Sequence, residues 1–322
     1  MLVARAGPAR SLRCSLYTTT TTRGLRTVPT LPDASLETFR REALSPETPA
    51  LLPRGTFNHF PAVSKWFTPP SASHPLTLNQ AYLTRYGPTL VPLEITHDGQ
   101  FARLEHSLSF FLECVLANAS TFRTWPSRRY FSAFVPGARG IRRTTVSNHF
   151  FSASAVTAPT ARVYLAQAAL ADLPQGLRAD VPTPGLVLEA GKGDVYASSI
   201  WLGVAPTYTP LHRDPNPNLF VQLAGRKRVR LFSPGAGRNV FAKVQDDIGG
   251  GGSANLRGVE MMEGRERAAL EEEVWGRDDL YRNSAFEAEL GGGDGLFIPK
   301  GWWHSFKGTG EGMTGSVNWW FR

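Results

Sequence analysis

From Arg162 to Phe321 the chain is a succession of short runs rich in β-branched and aromatic residues, each cut off by Gly, Pro or Asn. That spacing suits strands joined by tight turns and predicts an antiparallel barrel or sandwich. The preceding part reads differently. Ser35 to Leu44 is a helix opened by a capping Ser with Glu37 close behind and ended near Pro46. Ala50 to Arg54 reads as a strand, Asn58 to Trp66 as a turn around buried aromatics, Pro69 to Pro75 as a loop, and Ser107 to Ala117 as a helix by its apolar spacing. The chain thus divides into a flank, residues 33–159, and a β unit, residues 160–322. The β unit carries an insertion at about 245–285, where Glu263 to Arg282 has helical character between the glycine patches Gly249 to Gly252 and Gly291 to Gly293.

Composition narrows the chemistry. With 42% hydrophobic and 19% charged residues in 322, the chain can bury a large core. No run approaches the ~20 apolar residues that span a bilayer, since even Phe110 to Ala119 is broken by Glu113 and Asn118. Two cysteines, Cys14 and Cys114, exclude a disulfide framework and a thiolate-only metal site, so a metal would rest on His and carboxylates. The net charge of +8 is concentrated at the start. Residues 1–32 hold five arginines and no acid, leaving 30 basic and 27 acidic residues, a net of +3, for the rest. An Arg-rich, Ser/Thr-rich, acid-free start has the composition of a mitochondrial transit peptide, cleaved near Arg23 to Thr30, and places the protein in the matrix. Without a cleaved leader the expectation is cytoplasm or nucleus.

The chemistry gathers around Thr209-Pro210-Leu211-His212-Arg213-Asp214. In an extended segment residues two apart point the same way, so His212 and Asp214 can address one ion. A His-x-Asp triplet alone is weak evidence. His304, 90 residues past Asp214 at the end of an apolar strand and a Pro/Gly turn, supplies a third ligand. Two His and one carboxylate on a β scaffold form a facial triad with open positions, which favours Fe(II) over a closed structural zinc. In the run Arg226 to Phe232, Lys227 shares a face with Val229 and Leu231, and Arg226, Arg228 and Arg230 share the other. An inward ammonium is costly unless an anion meets it, so Lys227 points to a carboxylate-bearing ligand. A bulge shifting the alternation would instead make Lys227 one more surface cation.

These residues, with Tyr164-Leu165-Ala166-Gln167, Trp201-Leu202-Gly203, Asn218, Gln222, Gly293-Asp294 and Asn318-Trp319-Trp320, stand in an order that resembles the JmjC (cupin-like) 2-oxoglutarate oxygenases. The branch most similar is that of the asparaginyl hydroxylase inhibiting hypoxia-inducible factor and the related small hydroxylases. The resemblance is dense from about residue 160 onward and looser over 35–159. It implies a double-stranded β-helix (jelly roll) with flanking helices and iron ligation by His212, Asp214 and His304. It further implies pairing of Lys227 with the distal carboxylate of 2-oxoglutarate, supported by Thr209 and Tyr164. Asn218 and Asn318 would line the co-substrate and metal pocket, with Trp320 as its wall. The implied reaction uses Fe(II), 2-oxoglutarate and dioxygen to hydroxylate a side chain of a protein or peptide. The chain ends four residues after Asn318, without the C-terminal helices through which the hypoxia-factor hydroxylase dimerises, and Ala166 replaces one Gln of that enzyme.

Other readings share the pattern. N-methyl-lysine demethylation uses the same chemistry and ranks below hydroxylation because no histone-reader module accompanies the domain. A tRNA-modifying oxygenase would use Arg226, Arg228 and Arg230 against RNA phosphates. A non-catalytic cupin-like binding module is the reading from another class. His59, His74, His97, His106 and His149 lack ligand-spaced partners and are expected to be structural or exposed; Glu271 to Glu273 reads as a solvated helix face.

Overall fold

The computed structural model describes residues 25–72, 74–97, 100–119, 162–250, 264–277, 280–281 and 283–322. Most of the expected leader, Cys14 and His149 lie outside them. In chain order the flank contains β1 (Arg26–Thr27), α1 (Leu36–Phe39), β2 (Ala50–Leu51), α2 (Pro61–Lys65), β3 (Phe67–Thr68), β4 (Thr77–Leu78), α3 (Gln80–Leu83), β5 (Leu90–His97), β6 (Gln100–Ser107) and α4 (Leu108–Ala119). Then follow β7 (Arg162–Ala169), α5 (Gln175–Ala179), α6 (Gly185–Glu189), β8 (Val195–Val204), β9 (Thr207–Arg213), β10 (Asn218–Ala224), β11 (Arg226–Phe232) and α7 (Pro234–Ile248). The last elements are α8 (Gly264–Trp275), β12 (Ala285–Leu290), β13 (Gly295–Ile298), β14 (Trp303–Thr309) and β15 (Met313–Phe321).

The strands form two main sheets, one of eight in the order β2-β13-β10-β15-β8-β7-β5-β6 and one of five in the order β1-β12-β11-β14-β9. This is the jelly roll expected. Phe220 and Leu296 of the larger sheet pack with Val229, Leu231 and Phe306 of the smaller to make the interior between them. The outer face of the larger sheet, with Leu219, Val221, Val317 and Trp319, is covered by Phe39, Phe60, Trp66 and Phe111 of the flank. The outer face of the smaller sheet, with Leu211, Phe232 and Trp303, is covered by Val240, Phe241 and Val244 of α7 and Leu270 and Val274 of α8. Each such buried side chain contributes ~1.5–3 kcal/mol, so both sheets are held rigid from both sides. β10 is therefore buried along its whole length, Asn218, Phe220 and Gln222 inward and Leu219, Val221 and Leu223 toward the flank.

The N-terminal helix begins as read: the Ser35 hydroxyl accepts from the Thr38 N–H at 3.2 Å, and a wider turn, Arg40–Leu44, continues it. Asn58 to Trp66 is not a simple turn, because Pro61 occupies the first helical position of α2. The flank and the β unit share one sheet, since β7 pairs with β5. β1 lies inside the range expected of the leader, yet it pairs with β12, and Val28 just after it is buried.

The helix α7 has no counterpart in the sequence reading. Gly235 and Gly237 dilute its pattern, but a Cβ at Gly237 would overlap the Trp303 indole, so close packing accounts for that glycine. Two charged segments also differ from expectation. Arg230 does not share an outer solvent face with Arg226 and Arg228. It lies under α8, buried, donating to Glu287 Oε2 at 2.8 Å and to the Val274 carbonyl at 2.5 Å, with its guanidinium 4.6 Å from the Trp275 ring. Glu273 is likewise buried, accepting from Tyr281 and from Lys243 at 3.0 Å, whereas Glu272 is solvated.

Candidate functional site

The site begins with a register irregularity between β9 and β14. His212 stands directly opposite His304, but the next pair is Thr209 with Phe306, so Pro210 and Leu211 together face Ser305. Pro210 has no N–H to give the ladder, which makes the extra residue cheap here. The freed Thr209 carbonyl is taken up by the Ser305 hydroxyl at 2.8 Å, and that hydroxyl receives the Trp275 indole N–H at 2.9 Å. Thr209 and His212, three residues apart, would face opposite ways on a regular strand. With the bulge both line one cavity of about 370 Å³ between the sheets.

His212, Asp214 and His304 offer three donor atoms within 4.8 Å of one another, all at nearly dry positions. His304 Nε2 is 3.5 Å from Asp214 Oδ2, and His212 Nε2 is 3.9 Å from Asp214 Oδ1. Each imidazole places Nδ1 on a backbone carbonyl, His212 on Pro210 at 2.8 Å and His304 on Trp302 at 3.1 Å, which turns both Nε2 atoms toward the same point. Burial, with His212 beside it, pushes His304 well below its ordinary pKa, so its ring is neutral and able to ligate at pH 7. Burial alone would raise Asp214, but His304, His212, Trp320 and Asn218 together hold it below the usual carboxylate range. The Asp214 Oδ2 atom accepts from Trp320 Nε1 at 2.7 Å and Asn218 Nδ2 at 3.0 Å. Two imidazoles and one oriented carboxylate are the donor set of a mononuclear Fe(II) centre with open positions.

Lys227 does point inward. The residue is 4% exposed, and its ammonium donates to the Ser316 hydroxyl at 2.8 Å, beside the Phe220 ring at 5.3 Å. Among the described residues no carboxylate lies within ion-pairing distance, and burial pushes the lysine down to about 7. A dry, unneutralised ammonium calls for an anion in the cavity.

The cavity brings together all nine residues picked from the sequence: Tyr164, Thr209, His212, Asp214, Asn218, Lys227, His304, Asn318 and Trp320. Tyr164 fits because its cross-strand neighbour is Gly203, where a Cβ would overlap the phenol ring; burial and Glu94 raise its pKa and keep it protonated. Asn318 accepts from Trp201 Nε1 at 2.9 Å, and the buried Asn218 Oδ1 has no partner, an acceptor left over for a ligand. Trp320 is more than a wall, since its indole N–H orients Asp214. Ser316 was missed, and Trp201 stood in the motif without being assigned to the cavity it lines. The signal for Ser316 is its place two residues before Asn318, on the same strand face. The arginines considered for RNA are engaged with acids: Arg226 with Glu289 at 3.3 Å, Arg228 with Glu287 at 2.5 Å, and Arg230 as described.

A jelly roll enclosing two His and one Asp defines the class, and the comparison of sequences agrees: the cupin-like domain family matches residues 35–322. The chain belongs to that family. It is 25% identical over 324 residues to Lysine-specific demethylase JMJ30 of Arabidopsis thaliana, covering 100% of this chain and 58% of that protein. It is 26% identical over 298 residues to Jumonji C domain-containing protein 5 of Drosophila melanogaster, covering 92% and 60%. With Lysine-specific demethylase 8 of Xenopus tropicalis it shares 23% over 297 residues, covering 91% and 52%. The chain spans about half the length of these relatives. Their JmjC and demethylase names do not confirm the hypoxia-factor hydroxylase branch.

Proposed function

We propose that this chain is an Fe(II)- and 2-oxoglutarate-dependent oxygenase acting on a protein, with removal of N-methyl groups from lysine as its reaction. The observation that carries the reading is the buried Lys227 ammonium, with no carboxylate in ion-pairing distance among the described residues, in the same cavity as a His212, Asp214 and His304 triad. The lysine with Ser316 would take the distal carboxylate of 2-oxoglutarate, Thr209 and Tyr164 adding hydroxyls from the cavity wall. Trp320 and Asn218 hold one Asp214 oxygen and leave the other to the metal. Bound iron, with 2-oxoglutarate and dioxygen, would supply the oxidising power to hydroxylate a C–H bond of the substrate. Hydroxylation of an N-methyl carbon leaves a carbinolamine, which breaks to formaldehyde and the amine.

Demethylation takes the place of the side-chain hydroxylation expected from sequence because two of the relatives carry demethylase names. The test is turnover of 2-oxoglutarate to succinate by protein loaded with iron, with methyl-lysine peptides present. Formaldehyde released in step with succinate supports demethylation, a stable oxygen-bearing peptide supports hydroxylation, and full turnover by His304→Ala or Asp214→Ala would refute the oxygenase reading.

A further inference from the structure

Thr209 faces the cavity only because Pro210 and Leu211 together stand opposite Ser305; on a regular β9 it would face away from His212. A bulge interrupts the ladder, so its polar groups need other partners. Two side chains supply them. His212 Nδ1 sits on the Pro210 carbonyl at 2.8 Å, and the fully buried Ser305 hydroxyl donates to the Thr209 carbonyl at 2.8 Å. A serine hydroxyl can rotate, so Ser305 by itself is not tied to that carbonyl. Trp275 removes the freedom. An indole N–H only donates, so Ser305 must accept from Trp275 Nε1 at 2.9 Å and keeps its one proton for Thr209.

Trp275 is the last residue of α8, and neither it nor Ser305 lines the cavity. Its ring is fixed by cations, with the Arg230 guanidinium 4.6 Å, the Lys307 ammonium 5.3 Å and the Arg228 guanidinium 5.7 Å from its centre. Arg230 also holds the Val274 carbonyl at the end of the helix, where a cation suits the dipole, and Lys307 pairs with Glu271 at 2.8 Å. The buried Arg230, which nothing in the strand pattern called for, thus fixes the indole that directs Ser305. A two-bond relay runs from the outer face of the five-stranded sheet to a residue on its inner face.

We propose that Trp275 is a positioning residue for the co-substrate: through Ser305 it holds the bulge that turns the Thr209 hydroxyl into the cavity. The inference rests on the 2-oxoglutarate reading above and deepens it, by giving a helix outside the cavity a part in co-substrate binding. A misplaced hydroxyl loses its bond to the ligand although every group lining the cavity is still present.

The test is Trp275→Phe in the full chain, which keeps a ring for the cations and removes only the N–H. With Co(II) in place of iron, calorimetry should show 2-oxoglutarate bound about fivefold more weakly, the loss of one net hydrogen bond, while Co(II) itself binds as before. Amide hydrogen exchange at Thr209 and Leu211 should be faster. Ser305→Ala should weaken 2-oxoglutarate to a similar degree, and adding Trp275→Phe to it should cost nothing more, because both act through one carbonyl. Glu271→Gln frees α8 from Lys307 but leaves the indole donor, and should bind 2-oxoglutarate like the wild type. Unchanged affinity in Trp275→Phe, additive losses in the double variant, an equal loss of Co(II) affinity, or an equal effect of Glu271→Gln would each overturn the proposal, reducing Trp275 to a packing residue. If the wild-type protein takes up no 2-oxoglutarate while Trp275→Phe still speeds exchange at Thr209 and Leu211, the relay stands and the oxygenase reading falls. If the wild type binds it and the variant binds it equally, the reverse holds.

Discussion

Replacing Lys227 with Met should make the metal- and co-substrate-free protein more stable at neutral pH. The Lys227 ammonium is held dry by Phe220 and its surroundings, and burial alone lowers it from 10.5 to about 7. In the unfolded chain the amine keeps its ordinary affinity for protons, so at pH below 7 the folded state carries a charge penalty of at most ~5 kcal/mol. Losing the bond to Ser316 costs ~1–2 kcal/mol, which leaves a net gain of ~3 kcal/mol for the methionine. The sign of the pH dependence follows. Between pH 7 and 10.5 the unfolded state binds more protons than the folded one, so the penalty fades as pH rises, by ~1.4 kcal/mol per pH unit. Urea unfolding of both proteins at pH 6.5 and 9.5 gives the advantage of Lys227→Met at each, and the subtraction cancels other groups such as Cys114, raised to about 12 by burial. That advantage should shrink by ~3 kcal/mol between the two pH values, and saturating 2-oxoglutarate should reduce it at pH 6.5. A destabilised methionine variant, or an advantage that does not change with pH, would refute the claim that this ammonium sits dry and without a counter-ion.

Trp320→Phe keeps the cavity wall but removes the donor to Asp214, so direct titration with Co(II) should show metal affinity lower by ~10–100-fold; unchanged affinity would show that Asn218 alone orients the carboxylate. Gly203→Ala forces a methyl into the Tyr164 ring and should cost ~1–3 kcal/mol in urea unfolding while weakening 2-oxoglutarate binding measured by calorimetry. Asp180 accepts from Trp66 Nε1 at 2.9 Å, from half-exposed Lys65 at 2.8 Å and from Tyr82, so Asp180→Ala should lose ~2–4 kcal/mol. Burial raises the Asp180 carboxyl, but Lys65, Tyr82 and Trp66 outweigh it and hold the group below its ordinary value. Its contribution is therefore present above the unfolded-state pKa and fades as pH falls, and an acid titration of both proteins should converge there.

The β half was readable because its strands alternate with period two, and the direction of Lys227 followed from Val229 and Leu231 on the same strand. The errors fall where a second element decides a residue's surroundings. Arg230 alternates outward as expected, yet outward there means under α8, and Glu273 is buried by Tyr281 and Lys243 from α7 and the segment after α8. α7 went unread because Gly235 and Gly237 dilute its pattern, and Gly237 makes sense only against the Trp303 ring.

By itself, the order of residues determined the strand pattern, which side chains share a face, and which types can ligate iron or anchor an acid, because alternation and side-chain chemistry are local properties. Tertiary structure decided that His212 and His304, with 91 residues between them in the chain, stand opposite each other on paired strands, and that a bulge turns Thr209 to the same side. It also decided that Ser316 meets Lys227. Those outcomes depend on register and on where neighbouring strands end, which are settled by packing between segments distant in the chain.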